Sequence, residues 1–150
     1  MSDRVALAVF VIAVAAIGLA IGFATLPGPW YESLAKPAFN PPNWVFGPVW
    51  TLIYILIGIA GWRVWRVAAA GRAMRLWVIA LVLNYLWSPV FFALHQIGLA
   101  LAVILALLLA IVLFIAATWR REPVAAWLFV PYAAWVAFAT LLNAAIWRLN

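Results

Sequence analysis

The sequence predicts an all-α polytopic membrane protein, a single domain over residues 1–150 built as a bundle of five transmembrane helices. Three observations predict it. Hydrophobic residues make up 71% of the chain and charged residues 8%, where a soluble domain is closer to half apolar. The mean hydropathy is +1.20. The apolar residues also fall into unbroken runs of bilayer-crossing length, about 20 residues each. Strands are excluded because the runs do not alternate and an open five-stranded sheet leaves edges that lipid cannot satisfy.

The first span covers 5–26. Its apolar stretch exceeds a typical signal-peptide core, only Arg4 precedes it among the basic residues, and no small-residue cleavage site follows, so it reads as a retained span. A loop over 27–43 follows. The second span, 44–62, ends at Arg63 and Arg66. From Leu76 to Trp119 there is no Asp, Glu, Lys or Arg. That stretch is too long for one crossing and divides into spans at 76–94 and 97–119, hinged near His95, Gln96 and Gly98. The last span covers 124–147. Five spans put the termini on opposite sides. Arg4, Arg63, Arg66, Arg72, Arg75, Arg120 and Arg121 share one side, and Lys36 and Arg148 the other. The excess predicts an amino terminus on the cytoplasmic side of an inner membrane.

Composition also removes function classes. The net charge of +6 comes from basic residues between apolar runs, which suits lipid headgroups and not nucleic acid. There is no cysteine, hence no disulfide framework or thiol chemistry. His95 is the single histidine and reads as a turn residue. Asp3, Glu32 and Glu122 lie at ends or in loops. No acid–base pair, conventional metal site or phosphate loop is visible, and no cofactor is expected.

The segment Lys36–Tyr54, KPAFNPPNWVFGPVWTLIY, is the most informative. It holds four prolines and two tryptophans, which stiffen the chain and push preceding residues toward extended geometry. It reads as a shaped pocket edge at a membrane surface. Within the spans, Asn84 must find a partner in hydrocarbon, either across to another helix or on a ligand. Asn143 poses the same choice, and there an interhelical bond is favoured. Pro89 and Pro131 invite kinks that open space between helices, or serve packing alone. Of eleven tryptophans, Trp30, Trp44, Trp62, Trp65, Trp77, Trp119, Trp127 and Trp147 lie near predicted span ends, where interface anchoring explains most of them. Trp50, Trp87 and Trp135 lie deeper and offer flat faces to a pocket or to packing. Gly18 and Gly22, spaced as GxxxG, suit close helix approach within or between chains.

Three blocks together resemble the TspO/MBR family, the translocator proteins or peripheral-type benzodiazepine receptors. They are WYESLAKPAFNPPNWVFGPVWTLIY (Trp30–Tyr54), LNYLWSPVFF (Leu83–Phe92) and VPYAAWVAFATLLNAAIWRLN (Val130–Asn150). The resemblance covers nearly the whole chain and looks like a bacterial-type member, in a bacterial membrane. It implies a five-helix bundle, often a homodimer, with a pocket beneath the first loop. It implies a receptor for tetrapyrroles such as protoporphyrin IX and other haem precursors, with benzodiazepine-type ligands in the same cavity. By motif position, Tyr31 and Pro41 come from the loop, and Trp50 and Tyr54 from the second span. Asn84, Trp87, Ser88 and Phe91 come from the third, and Trp135 and Ala139 from the fifth. Light-dependent porphyrin breakdown, for which Trp50 and Trp135 are the candidate catalytic residues, is the alternative. Transport of porphyrin or sterol is another. The family's sterol segment matches at Leu142 and Arg148, but Ala144 stands where its tyrosine belongs, which weakens a sterol partner.

Overall fold

A computed structural model describes residues 1–150. Helix α1 spans Asp3–Ala24, and the short α2 spans Pro29–Ser33. A 3-10 turn, Asn43–Val45, leads into α3, Phe46–Ala68. Helix α4, Arg72–Ser88, continues through a π-helical turn, Pro89–Ala93. Helices α5, Ile97–Thr118, and α6, Pro123–Leu149, complete the chain. There is no strand, and five helices are long and apolar enough to cross a membrane. The protein is a multi-pass integral membrane protein.

Local chemistry sets the helix ends. The Ser2 hydroxyl accepts from the Val5 amide at 3.4 Å, and Asp3 sits in the first turn, so α1 begins before the apolar run does. Helices α3 and α4 run past the predicted span edges because Arg63, Arg66, Arg72 and Arg75 extend the helix while their charged heads reach toward the surface. Pro29 and Pro123 each open a helix at a position whose N–H would have no partner. Pro89 starts the π-helical turn. The helix widens there, the Leu94 amide reaching the Pro89 carbonyl at 2.9 Å. His95 then takes a left-handed φ of 57° and turns the chain into α5.

Neighbours run α1, α3, α6, α5, α4 around the bundle, and α4 touches α3 and α1 only lightly. Glycine sets the tightest approach. A Cβ on Gly58 would stand 2.6 Å from the Val11 Cα, so α1 and α3 meet there backbone to backbone. Gly61 admits the Trp77 ring in the same way. Trp77 is therefore not an interface anchor, as its place near a span end suggested. It is buried, and its indole N–H donates to the Ile57 carbonyl at 2.9 Å.

The filled core lies toward the arginine-rich end. Phe114 and Phe129 pack with ring centroids 4.0 Å apart, in one buried cluster with Ile57, Ile104, Leu107 and Ile111, all essentially inaccessible. Ion pairs tie this end together. The Arg63 Nε donates to Glu122 Oε1 at 2.6 Å, joining α3 to the start of α6, and Arg66 meets Asp3 at 3.1 Å. Trp119 and Trp127 pair on the outside of this end, exposed as interface tryptophans are.

Candidate functional site

The opposite end is hollow. A cavity of about 540 Å³ lies between α1, α3, α4 and α6, beneath the first loop. Helical period builds its walls. Asn84, Trp87, Ser88 and Phe91 recur at i, i+3, i+4 and i+7 and form the α4 wall. Ala139, Leu142, Asn143 and Ile146 repeat that spacing on α6. From α3 come Trp50 and Tyr54, stacked at 5.6 Å with planes 29° apart. Gly18, Gly22 and Thr25 line it from α1, and Tyr31 and Asn40 from the loop.

Ten residues were expected around this pocket from the sequence, and eight of them line the cavity: Tyr31, Trp50, Tyr54, Asn84, Trp87, Ser88, Phe91 and Ala139. Pro41 and Trp135 do not. In the extended loop neighbouring side chains point to opposite sides, and it is Asn40 that faces in. Trp135 lies on the Ala139 side of α6, but its indole turns between α3 and α6 against Phe46 and Phe138. It borders an outer groove with Val49, Leu52 and Pro131. Its ring stands behind Trp50, edge to face at 6.4 Å. Of the sterol-segment residues, Leu142 lines the cavity, while Arg148 is exposed and outside it.

Polar contacts are few and specific. The Asn84 amide donates to the Tyr132 hydroxyl at 2.7 Å, and Tyr132 is fully buried behind the wall. Thr25 and Ser88 share a hydrogen bond of 2.6 Å that joins the ends of α1 and α4. The Trp87 N–H donates to Asn143 Oδ1 at 3.0 Å, and Asn143 Nδ2 donates to the Ile97 carbonyl at 3.0 Å. Asn143 thus stitches α4, α5 and α6, the interhelical role its position favoured. The Asn84 carbonyl oxygen and the Tyr54 hydroxyl have no protein partner. No Asp, Glu, Lys, Arg or His lines the cavity.

The loop over the cavity is fastened at several points. The side-chain amide of Asn150 pairs with both backbone groups of Ala35, accepting from its N–H at 3.0 Å and donating to its carbonyl at 2.9 Å. Lys36 donates to the Glu32 and Leu34 carbonyls and lies 4.5 Å over the Tyr31 ring. Tyr31 donates to Asn40 Oδ1 at 3.4 Å. Burial pushes the Tyr31 phenol above its ordinary value, and the Asn40 hydrogen bond offsets part of this. It therefore stays a neutral donor at physiological pH. Trp30 stacks on His95 at 4.0 Å with planes 10° apart, holding α2 to the α4–α5 turn. Sequence reasoning missed Tyr132, Thr25, Asn40 and Asn150. Tyr132 had a signal: it is buried one helical turn from both Val136 and Phe129 in a run whose polar side chains are few.

The TspO/MBR family model matches residues 9–148. Protein CrtK of Rhodobacter capsulatus is 37% identical over 147 residues, covering 95% of this chain and 91% of the relative. The tryptophan-rich sensory protein of Cereibacter sphaeroides is 41% identical over 128 residues, 83% of this chain and 78% of the relative. The human translocator protein is 39% identical over 126 residues, 81% of this chain and 75% of the relative. Matched across nearly its whole length, and carrying the proline–tryptophan loop above a hollow five-helix bundle, this chain belongs to the TspO/MBR family.

Proposed function

We propose that the protein is a membrane receptor for tetrapyrroles, protoporphyrin IX and related haem precursors, held in the cavity beneath the first loop. The observation that carries this reading is the wall chemistry. A stacked Trp50–Tyr54 face stands in an apolar chamber with very few free polar atoms. Its volume falls in the range, about 300–1,000 Å³, of cavities that bury whole small molecules. A flat macrocycle gains dispersion and stacking from such a face. Asn84 supplies the polar anchor. With its amide as described, it offers the carbonyl oxygen to a ligand N–H. A half-turn lets Tyr132 donate to that oxygen and presents the NH₂ to a ligand carboxylate. By its excess of arginines, the filled end faces the cytoplasm and the cavity the opposite side.

The test is a titration of purified protein in detergent with protoporphyrin IX, followed by the porphyrin's own absorbance. Saturable binding is expected, weakened about tenfold or more in Trp50→Phe with Asn84→Leu, since each lost contact is worth roughly 1 kcal/mol. Identical curves for wild type and variant would reject the pocket.

One observation favours a second reading, light-dependent oxidation of the bound porphyrin by dioxygen. Trp50 on the wall and Trp135 behind it stand 6.4 Å apart, a pair of oxidisable indoles leading away from the ligand. A ring-opened product that forms only with light, dioxygen and both indoles supports it. Stable porphyrin under illumination leaves binding alone.

A further inference from the structure

The cavity lies beneath a loop fastened at several points. We infer that it opens sideways, through a portal between the carboxyl end of α1 and the amino end of α3, and that apolar ligands reach it from the lipid phase. The inference rests on the cavity being the ligand site. Helices α1 and α3 run antiparallel and are pressed together at Gly58 against Val11, then at Gly18 against the Tyr54 ring. One turn on, about 6 Å along α1, the contact ends. A Cβ on Gly22 would meet nothing within 4 Å, and neither would one on Gly47 across the gap. Both glycines are exposed and both line the cavity, so the chamber reaches the outer surface between them.

The rim identifies the phase outside. Phe23, Leu26 and Trp44 line the cavity and are also 74%, 64% and 74% exposed. Three large apolar side chains around a mouth suit acyl chains and the headgroup boundary, where tryptophan concentrates, and not bulk water. The loop above is closed by contrast. The Asn150–Ala35 pairing, the Lys36 contacts and the Trp30–His95 stack would all have to break to admit a ligand from above.

The chain has no cysteine, so one can be placed on the cavity wall as a reporter, Ala139→Cys, in protein reconstituted into vesicles. A long-chain N-alkyl maleimide dissolved in the bilayer should label it faster than an anionic, water-soluble maleimide. Gly22→Leu with Gly47→Leu should slow the alkyl reagent by about tenfold, as a narrowed path slows association. Asn150→Ala should leave that rate unchanged. If the two leucines have no effect, or if Asn150→Ala accelerates labelling, access is through the loop and the portal is wrong. Protoporphyrin IX in the same vesicles gives the second readout. The leucine pair should lower its association and dissociation rates by a similar factor and leave Kd nearly constant. A change in Kd at constant association rate would make the glycines wall and not portal. Leucine-sensitive labelling of the Ala139→Cys protein, together with failure of the wild-type protein to bind porphyrin, would reject the proposed ligand and keep the portal.

Discussion

The two ends of this bundle use the same five helices and nearly the same side-chain chemistry, yet one is filled and the other hollow. At the arginine-rich end, Phe114, Phe129 and Trp77 occupy the axis, and Gly58 and Gly61 make room for a neighbour. At the loop end, Ala139 leaves space that Trp50, Trp87 and Phe91 border without filling, and Gly22 and Gly47 face nothing. In hydrocarbon, burial from water does not distinguish the two. Packing does, because lipid competes equally for apolar surface and only close contact favours protein. Gly58 and Gly61 in the first region are contacts, and Gly22 and Gly47 in the second mark the absence of one.

That contrast predicts graded responses. Phe114→Ala should be the most damaging, about 3–5 kcal/mol, read as the loss of thermal or denaturant stability in detergent. Porphyrin binding by whatever fraction stays folded should change little. Gly58→Leu comes next, costing about 3 kcal/mol, because the obstructing atom is the Val11 backbone, which no rotamer can move. Its counterpart Gly22→Ala should be neutral or stabilising by up to about 1 kcal/mol, as alanine replaces glycine in open helix. Equal losses at Gly58 and Gly22 would erase the distinction. Asn84→Ala leaves the buried Tyr132 hydroxyl unpaired and should cost about 1 kcal/mol of stability, together with a clear loss of porphyrin affinity. Loss of stability alone would make Asn84 a structural residue. The smallest effect belongs to Asn150→Ala, under about 1 kcal/mol globally. It should show as faster amide exchange at Ala35, with the core unaffected.

Much of this was legible because lipid narrows the choices. Span number followed from run length, and the α4 wall came from the family resemblance, which names Asn84, Trp87, Ser88 and Phe91; their i, i+3, i+4, i+7 spacing then puts all four on one helix face. What periodicity gives is a helix face, not a rotamer. Trp135 lies on the Ala139 side of α6, but its indole swings into the α3–α6 gap, and no spacing rule sets that torsion. Trp77 was misjudged for a related reason. Near a span end, tryptophan reads as an anchor, and only the partner glycine, Gly61, shows that a neighbouring helix takes the ring. The loop's long-range fastenings, Asn150 on Ala35 and His95 on Trp30, were invisible because they join residues far apart in sequence, 115 positions in the first case. The wide turn after Pro89 was hidden too, since proline forecasts a disturbance and not its form.

The Asn150 pairing also bears on how the molecule is made. Ala35 leaves the ribosome early, yet the amide that pairs with its backbone arrives only with residue 150. Until α6 has crossed the bilayer, the roof of the chamber lacks this support and α6 has not supplied its wall. The chamber is therefore a late product of biogenesis: the first turns of α6 bring Phe129 to the filled end, and only its last turns complete the chamber's wall and roof.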